Sequence, residues 1–210
     1  MADELVLYTN PMSRGRIARW MLEEVGQPYR AEILEFASMK SPEYLAINPM
    51  GKVPTLRHGD IIVTEAAAIC AYLADVFPEA GLAPSPGSRL RGPYYRWLFF
   101  AAGPLEAANT NKALNVVVPA ERSTMVGYGS QERALAALED QLKRSEYIAG
   151  DRFTAADVYV GSHVGLGMMF GAIDKRPAFE RYWALVSERP AALRAREIDD
   201  KLVAERRKAG

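Results

Sequence analysis

The chain has 210 residues, enough for one large domain or two small ones, and its 26 basic side chains balance 26 acidic ones, which argues against a nucleic-acid binder working through a clustered basic surface. A single cysteine, Cys70, excludes an internal disulfide framework, and two histidines far apart in sequence, His58 and His163, argue against a histidine-built metal site. Met1-Ala2-Asp3-Glu4 is no signal-peptide start, and the most apolar helical stretch, 158–173, is shorter than the roughly 20 residues of a membrane span, so the expectation is a cytoplasmic protein with neither membrane nor nucleic acid as partner.

Residues 4–8 (ELVLY) form a short apolar run suited to a buried strand, and Asn10-Pro11 breaks it. Ile17, Ala18, Met21, Leu22 and Val25 then recur on one helical face, with Gly26 as the stop. Residues 29–34 read as a second strand, so the first third is a βαβ unit. A short helix is expected near 42–46. Residues 53–56 and 61–63 flank His58-Gly59-Asp60 as a β-hairpin, and a helix begins near Glu65 and ends at Pro78. The order β-α-β, loop, β-β-α is that of a thioredoxin-like fold. Residues 1–80 are therefore expected to form a thioredoxin-like α/β domain, 81–88 a linker containing Pro84-Ser85-Pro86-Gly87, and 89–210 an all-helical domain.

Within that second domain Trp97, Leu98, Ala101 and Leu105 make one helical stripe, Leu135, Leu138 and Leu142 another, and Phe179, Tyr182, Trp183 and Val186 a third. Thr154-Ala155-Ala156-Asp157, flanked by Phe153 and Val158, has the spacing of a capping box with a hydrophobic staple. Glycine pairs four apart, Gly161 with Gly165 and Gly167 with Gly171, suit close helix packing in a bundle. Residues 194–208 read as a mixed-charge helix or a frayed tail.

Three segments carry a family resemblance: Tyr8-Thr9-Asn10-Pro11-Met12-Ser13 ahead of the first helix, Asn48-Pro49-Met50-Gly51-Lys52-Val53-Pro54-Thr55-Leu56, and Thr64-Glu65-Ala66-Ala67-Ala68-Ile69. In this order, followed by a helical domain with the Thr154–Asp157 box, the chain resembles the cytosolic glutathione transferases of the serine type, bacterial or theta-like. The resemblance spans essentially the whole chain. It implies a homodimeric enzyme that joins the thiol of glutathione to a hydrophobic electrophile, with glutathione as co-substrate and no bound cofactor or metal.

That chemistry sets a requirement. A free thiol with a pKa near 8.5 is only about 3% thiolate at pH 7. Lowering the pKa by about two units needs roughly 2.7 kcal/mol of preferential stabilisation of the thiolate. A hydroxyl donor and the positive end of a helix together supply interactions of that kind. Ser13 stands where the first strand hands over to the first helix, and the resemblance gives its hydroxyl the role of donor to the glutathione sulfur. The plain alternative is a helix cap. Tyr8, late in the first strand, is the rival donor. Arg14 and Arg16 read either as a source of positive potential or as solvated arginines.

The resemblance makes Pro54 a cis-proline, which turns the Val53 backbone towards the cysteine part of glutathione in the manner of an added strand. Lys52 is placed for the glycine carboxylate, and Met39 or Lys40 falls where relatives add a polar contact. Glu65 takes the γ-glutamyl amino group. The residue after it is usually serine, whose hydroxyl and N–H hold the γ-glutamyl carboxylate. Here it is Ala66, which keeps the N–H and loses the hydroxyl, for an expected loss on the order of 1 kcal/mol in binding. Asn10, Met12, Tyr95 and Phe99 are the candidates for an electrophile pocket between the domains, with Tyr95 and Phe99 equally readable as core or dimer-interface residues. Cys70 reads as buried and inert, and His163 as a core histidine. Two alternatives stay open: another glutathione-dependent activity (dehalogenase, isomerase or peroxidase), and a non-catalytic ligand or partner binder, which Ala66 favours.

Overall fold

The computed structural model describes residues 3–209. The described residues up to Gly81, together with those from Glu188 onward, form one compact unit; Leu82–Ser187 form the other.

The first unit is built on four strands, β1 (Leu5–Thr9), β2 (Tyr29–Ile33), β3 (Thr55–His58) and β4 (Ile61–Thr64), in the order β2-β1-β3-β4. β1 and β2 are parallel; β3 runs antiparallel to both β1 and β4. The parallel pair needs a crossover, supplied by α1 (Gly15–Val25), which ends on Gly26 in the left-handed conformation (φ +69°) that glycine adopts without strain. The hairpin turn takes Gly59 at φ +59°. Leu5, Leu7 and Thr9 share one face of β1, and Val6 and Tyr8 the other. Thr9 is fully buried against the start of α1: a Cβ at Gly15 would overlap Thr9 Oγ1, so only glycine lets the helix begin so close to the strand. On the opposite face the Tyr8 ring meets Tyr44 of the short α2 (Pro42–Leu45), with centroids 5.8 Å apart. Helix α3 (Ala66–Val76) packs against α1 and buries Ile69, Cys70 and Leu73.

The second unit is helical: α4 (Arg91–Phe100), α5 (Glu106–Ala113), α6 (Gln131–Arg144), α7 (Ala155–Met169) and α8 (Pro177–Ser187). Among the described residues of this unit the one strand-like pairing is an isolated bridge between Tyr147 and Gly150. The sequence pattern predicts one continuous helix through 94–109. The structure instead places a π-helical turn, Ala101–Leu105, between α4 and α5. Pro104 lies inside it; proline donates no N–H and its ring crowds the preceding turn, and the wider π-turn accommodates both. The box at Thr154–Asp157 is present. Of the glycines on α7, Gly165 faces the Trp183 ring, 2.6 Å from where a Cβ would sit, and Gly167 meets Ile173 at the same distance. Both serve close packing within the bundle.

The last segment departs from the expected division. Residues 190–209 form a helix, α9 (Pro190–Ala209), and it groups with the first unit by packing along α1. The cause is electrostatic as well as apolar. Arg19 and Asp199 are 2% and 1% exposed and pair at 2.9 Å. Glu24 takes a two-pronged contact from Arg189 (2.7 and 2.8 Å), and Glu23 pairs with Arg194. A buried Arg–Asp pair is costly to desolvate and tolerable only when both partners arrive together, so α9 cannot leave α1 without stranding two charges.

Candidate active site

The strand register assembles the three sequence segments. Tyr8 of β1 is opposite Thr55 of β3, and Thr55 is opposite Thr64 of β4. The C-terminal end of β1, the start of β3 and the C-terminal end of β4 therefore lie side by side, so Ser13, Val53-Pro54 and Glu65-Ala66 all emerge at one edge of the sheet. These segments are separated in sequence, and the antiparallel β3 aligns the strand ends that lead into them.

The loop before α1 is tightly held. Asn10 is fully buried; its Nδ2 donates to the Leu34 carbonyl at 2.7 Å and its Oδ1 accepts from Met12 N at 2.9 Å. Its side chain is thus spent on shaping the loop, which corrects its expected place as a lining residue of the electrophile pocket. Met12 is 67% exposed. Ser13 is half-buried, its Oγ donating to the Asn10 carbonyl at 2.7 Å and accepting from Gly15 N at 2.9 Å. Ser13 stands one residue before Arg14, the N-cap of α1, and its Oγ satisfies a first-turn N–H that an anion at this helix start would otherwise take. A sulfur acceptor for the Ser13 hydroxyl has to compete with the Asn10 carbonyl. Tyr8 is half-buried on the opposite face, against Tyr44.

The second segment bends through a cis peptide between Val53 and Pro54. A group that the sequence reading missed supports it. Tyr44 Oη donates to the Lys52 carbonyl at 2.6 Å, Asn48 Nδ2 donates to the same carbonyl at 2.9 Å, and both contact Thr55 Oγ1. Burial raises the Tyr44 phenol above its ordinary range, keeping it a neutral donor. Asn48 stands in the segment Asn48–Leu56, but its inward amide has no signal in spacing alone. Lys52 is exposed, Val53 half-buried and Pro54 buried. Met39 is buried, which removes it as a polar contact; Lys40 Nζ donates to the Met50 carbonyl at 3.3 Å.

Glu65 is exposed and sits immediately before α3 with φ +65° and ψ 118°, a left-handed backbone that a side chain resists. Strain of this kind, typically 1–3 kcal/mol, persists where surrounding structure enforces it and clusters at functional positions. Ala66, 7% exposed, opens the helix with its N–H in the first turn. Tyr95 and Phe99 belong to α4 in the helical unit, 38% and 70% exposed, with rings 6.4 Å apart. Trp97, by contrast, is 1% exposed and part of that unit's core. Cys70 is fully buried, and burial pushes its thiol far above the usual range, so it is no nucleophile. His163 is 10% exposed beside Tyr159, with Glu106 Oε2 at 3.8 Å. Among the described residues no group of three histidine, cysteine or acidic side chains is arranged to hold a metal ion, and no helix is long and apolar enough to cross a membrane.

Comparison with known proteins agrees with this fold. Residues 3–75 match the glutathione S-transferase N-terminal domain and residues 120–184 the glutathione S-transferase C-terminal domain. The chain is 29% identical over 159 residues to the glutathione S-transferase GST-4.5 of Xanthomonas campestris pv. campestris, covering 73% of this chain and 78% of that one. It is 30% identical over 155 residues to glutathione S-transferase 1 of Dianthus caryophyllus, covering 67% of each. A sphingomonad glutathione S-transferase solved in complex with glutathione superposes with a TM-score of 0.77 at 29% identity, covering 93% of this chain and 98% of that one. With both domain matches in the expected order, on a thioredoxin-like unit followed by helices, the chain belongs to the glutathione S-transferase family.

Proposed function

We propose that this glutathione transferase works through Ser13, which stabilises the glutathione thiolate for attack on an apolar electrophile. The observation that supports the reading is the register at β1, β3 and β4, which aligns the strand ends leading into the segments of Ser13, Val53-Pro54 and Glu65-Ala66. In this reading Val53 pairs with the cysteine part of glutathione, Lys52 neutralises the glycine carboxylate, and Glu65 with the Ala66 N–H takes the γ-glutamyl end. The thiol proton leaves to water. The sulfur lone pair forms the S–C bond while the electrophile's leaving group departs with the electrons of the bond that breaks. Ser13 gives up the Asn10 carbonyl and donates to sulfur, a bond worth more to a thiolate than to a thiol, so it lowers the thiol pKa.

Met12, exposed on the loop, is the apolar group that the first unit offers to the electrophile. The same reading takes the active form as a homodimer in the cytoplasm, and light scattering of the purified protein tests the dimer. Ultraviolet thiolate absorbance of bound glutathione against pH tests the mechanism. Wild type is expected to show a thiol pKa about two units below that of free glutathione, and Ser13→Ala to lose most of that shift. An unshifted wild type, or a shift that survives in Ser13→Ala, reduces Ser13 to a helix cap.

A further inference from the structure

The loop carrying Ser13 has one more hold, and it comes from the far end of the chain. Arg16 Nε donates to the Pro11 carbonyl at 2.6 Å, while its Nη2 pairs with Asp200 Oδ1 of α9 at 2.8 Å. Arg16 is therefore no free solvated arginine: with its side chain 29% exposed, one guanidinium spans the loop and the last helix. Nε and Nη2 lie on the same edge of the planar fork, so an acceptor at Nη2 fixes the direction in which Nε points. The anchor beneath is rigid. Arg16 and Arg19 are three apart on one face of α1, and Asp199, next to Asp200, forms the buried pair with Arg19. Asp200 thus projects from a helix that is already locked in place.

We propose that Asp200 is a positioning residue for sulfur activation: through Arg16 it fixes the Pro11 carbonyl, and with it the loop that aims the Ser13 hydroxyl. The inference rests on the role given to Ser13 above. It makes α9 part of the active-site machinery. Asp200 touches neither glutathione nor the reacting atoms; it acts by removing the loop's freedom and by holding the Arg16 charge against it.

The test is the pH titration of the bound thiol in Asp200→Ala, Asp200→Glu, Arg16→Met and Ser13→Ala, with Arg194→Ala as the control that breaks a different α1–α9 ion pair. Asp200→Ala is expected to raise the bound thiol pKa by about half a unit, which cuts thiolate-limited turnover at pH 6.5 about twofold, with glutathione affinity unchanged within about 1.5-fold. Arg16→Met is expected to do more, about tenfold, Asp200→Glu to recover the wild-type titration, and Arg194→Ala to match wild type. A wild-type thiol pKa in Asp200→Ala, while Ser13→Ala has lost the shift, overturns the relay and leaves Ser13 standing. The same pKa rise in Arg194→Ala overturns it too, because general loosening of α9 then suffices. A shift that survives in Ser13→Ala overturns both.

Discussion

Asp157→Ala removes the acceptor around which the start of α7 is organised. Four donors converge on this fully buried carboxylate: Ile148 N at 2.7 Å and Tyr182 Oη at 2.9 Å on Oδ1, Thr154 N at 2.9 Å and Thr154 Oγ1 at 3.1 Å on Oδ2. Truncation strands at least the two backbone donors and the phenol, at about 1–3 kcal/mol each. Against that, burial opposes the charge and lifts the Asp157 pKa to about 6, in spite of the hydrogen bonds that favour the carboxylate. A rise of that size corresponds to about 3 kcal/mol against the charged form, a penalty the variant escapes. The net expectation is a loss of about 3 kcal/mol at pH 7. The sign with pH follows from proton binding. Between about pH 4 and 6 the folded chain holds a proton on Asp157 that the unfolded chain has released, so this residue's contribution to stability grows as pH falls through 6 and shrinks as it rises. The gap between wild type and Asp157→Ala should widen by about 1 kcal/mol from pH 7 to pH 5. Guanidinium unfolding followed by circular dichroism at both pH values measures it, with Tyr182→Phe, expected to cost about 1 kcal/mol, as the single-donor comparison. A loss below about 1 kcal/mol at pH 7, or a gap that narrows at pH 5, refutes the reasoning.

At Glu65, alanine and glycine should both weaken glutathione binding about tenfold, a loss near 1.4 kcal/mol. Only glycine accepts φ +65° without strain, so Glu65→Gly should unfold about 1 kcal/mol later than Glu65→Ala; equal stabilities would show an unstrained backbone. Ala66→Ser restores a hydroxyl at the first position of α3 and should tighten glutathione binding about fivefold in calorimetric titration, and an unchanged affinity would remove the γ-glutamyl carboxylate from this helix start.

Much of the first unit was legible because its signals are local. The apolar run at 5–8, the helical stripe from Ile17 to Val25 and the Gly26 stop each follow from a few residues, and β1, α1 and β2 appear where they imply. The hairpin also held, although β3 begins at Thr55 and not Val53, since the Val53–Pro54 segment bends out of the ladder. Contacts between remote residues were invisible. Nothing near Asp199 announces that it meets Arg19, and a segment that reads as a mixed-charge helix or a frayed tail is a helix laid on α1. The hold of Tyr44 and Asn48 on the Lys52 carbonyl is likewise a matter of three-dimensional approach. Gly103-Pro104 did carry a signal, but the stripe through Ala101 and Leu105 is compatible with either a regular helix or a π-turn.

The pairing of Arg19 with Asp199 bears on how the chain is made. The two residues stand 180 positions apart, and the whole helical unit lies between them. At about 5–20 residues per second, a ribosome that has just made Arg19 takes roughly ten to forty seconds to deliver its partner. Throughout that interval the sheet and α1 have an arginine with no carboxylate to enter the core beside it. The first part of the chain to be synthesised is therefore the last to be sealed, and the helical unit, whose residues are contiguous, can finish folding before it.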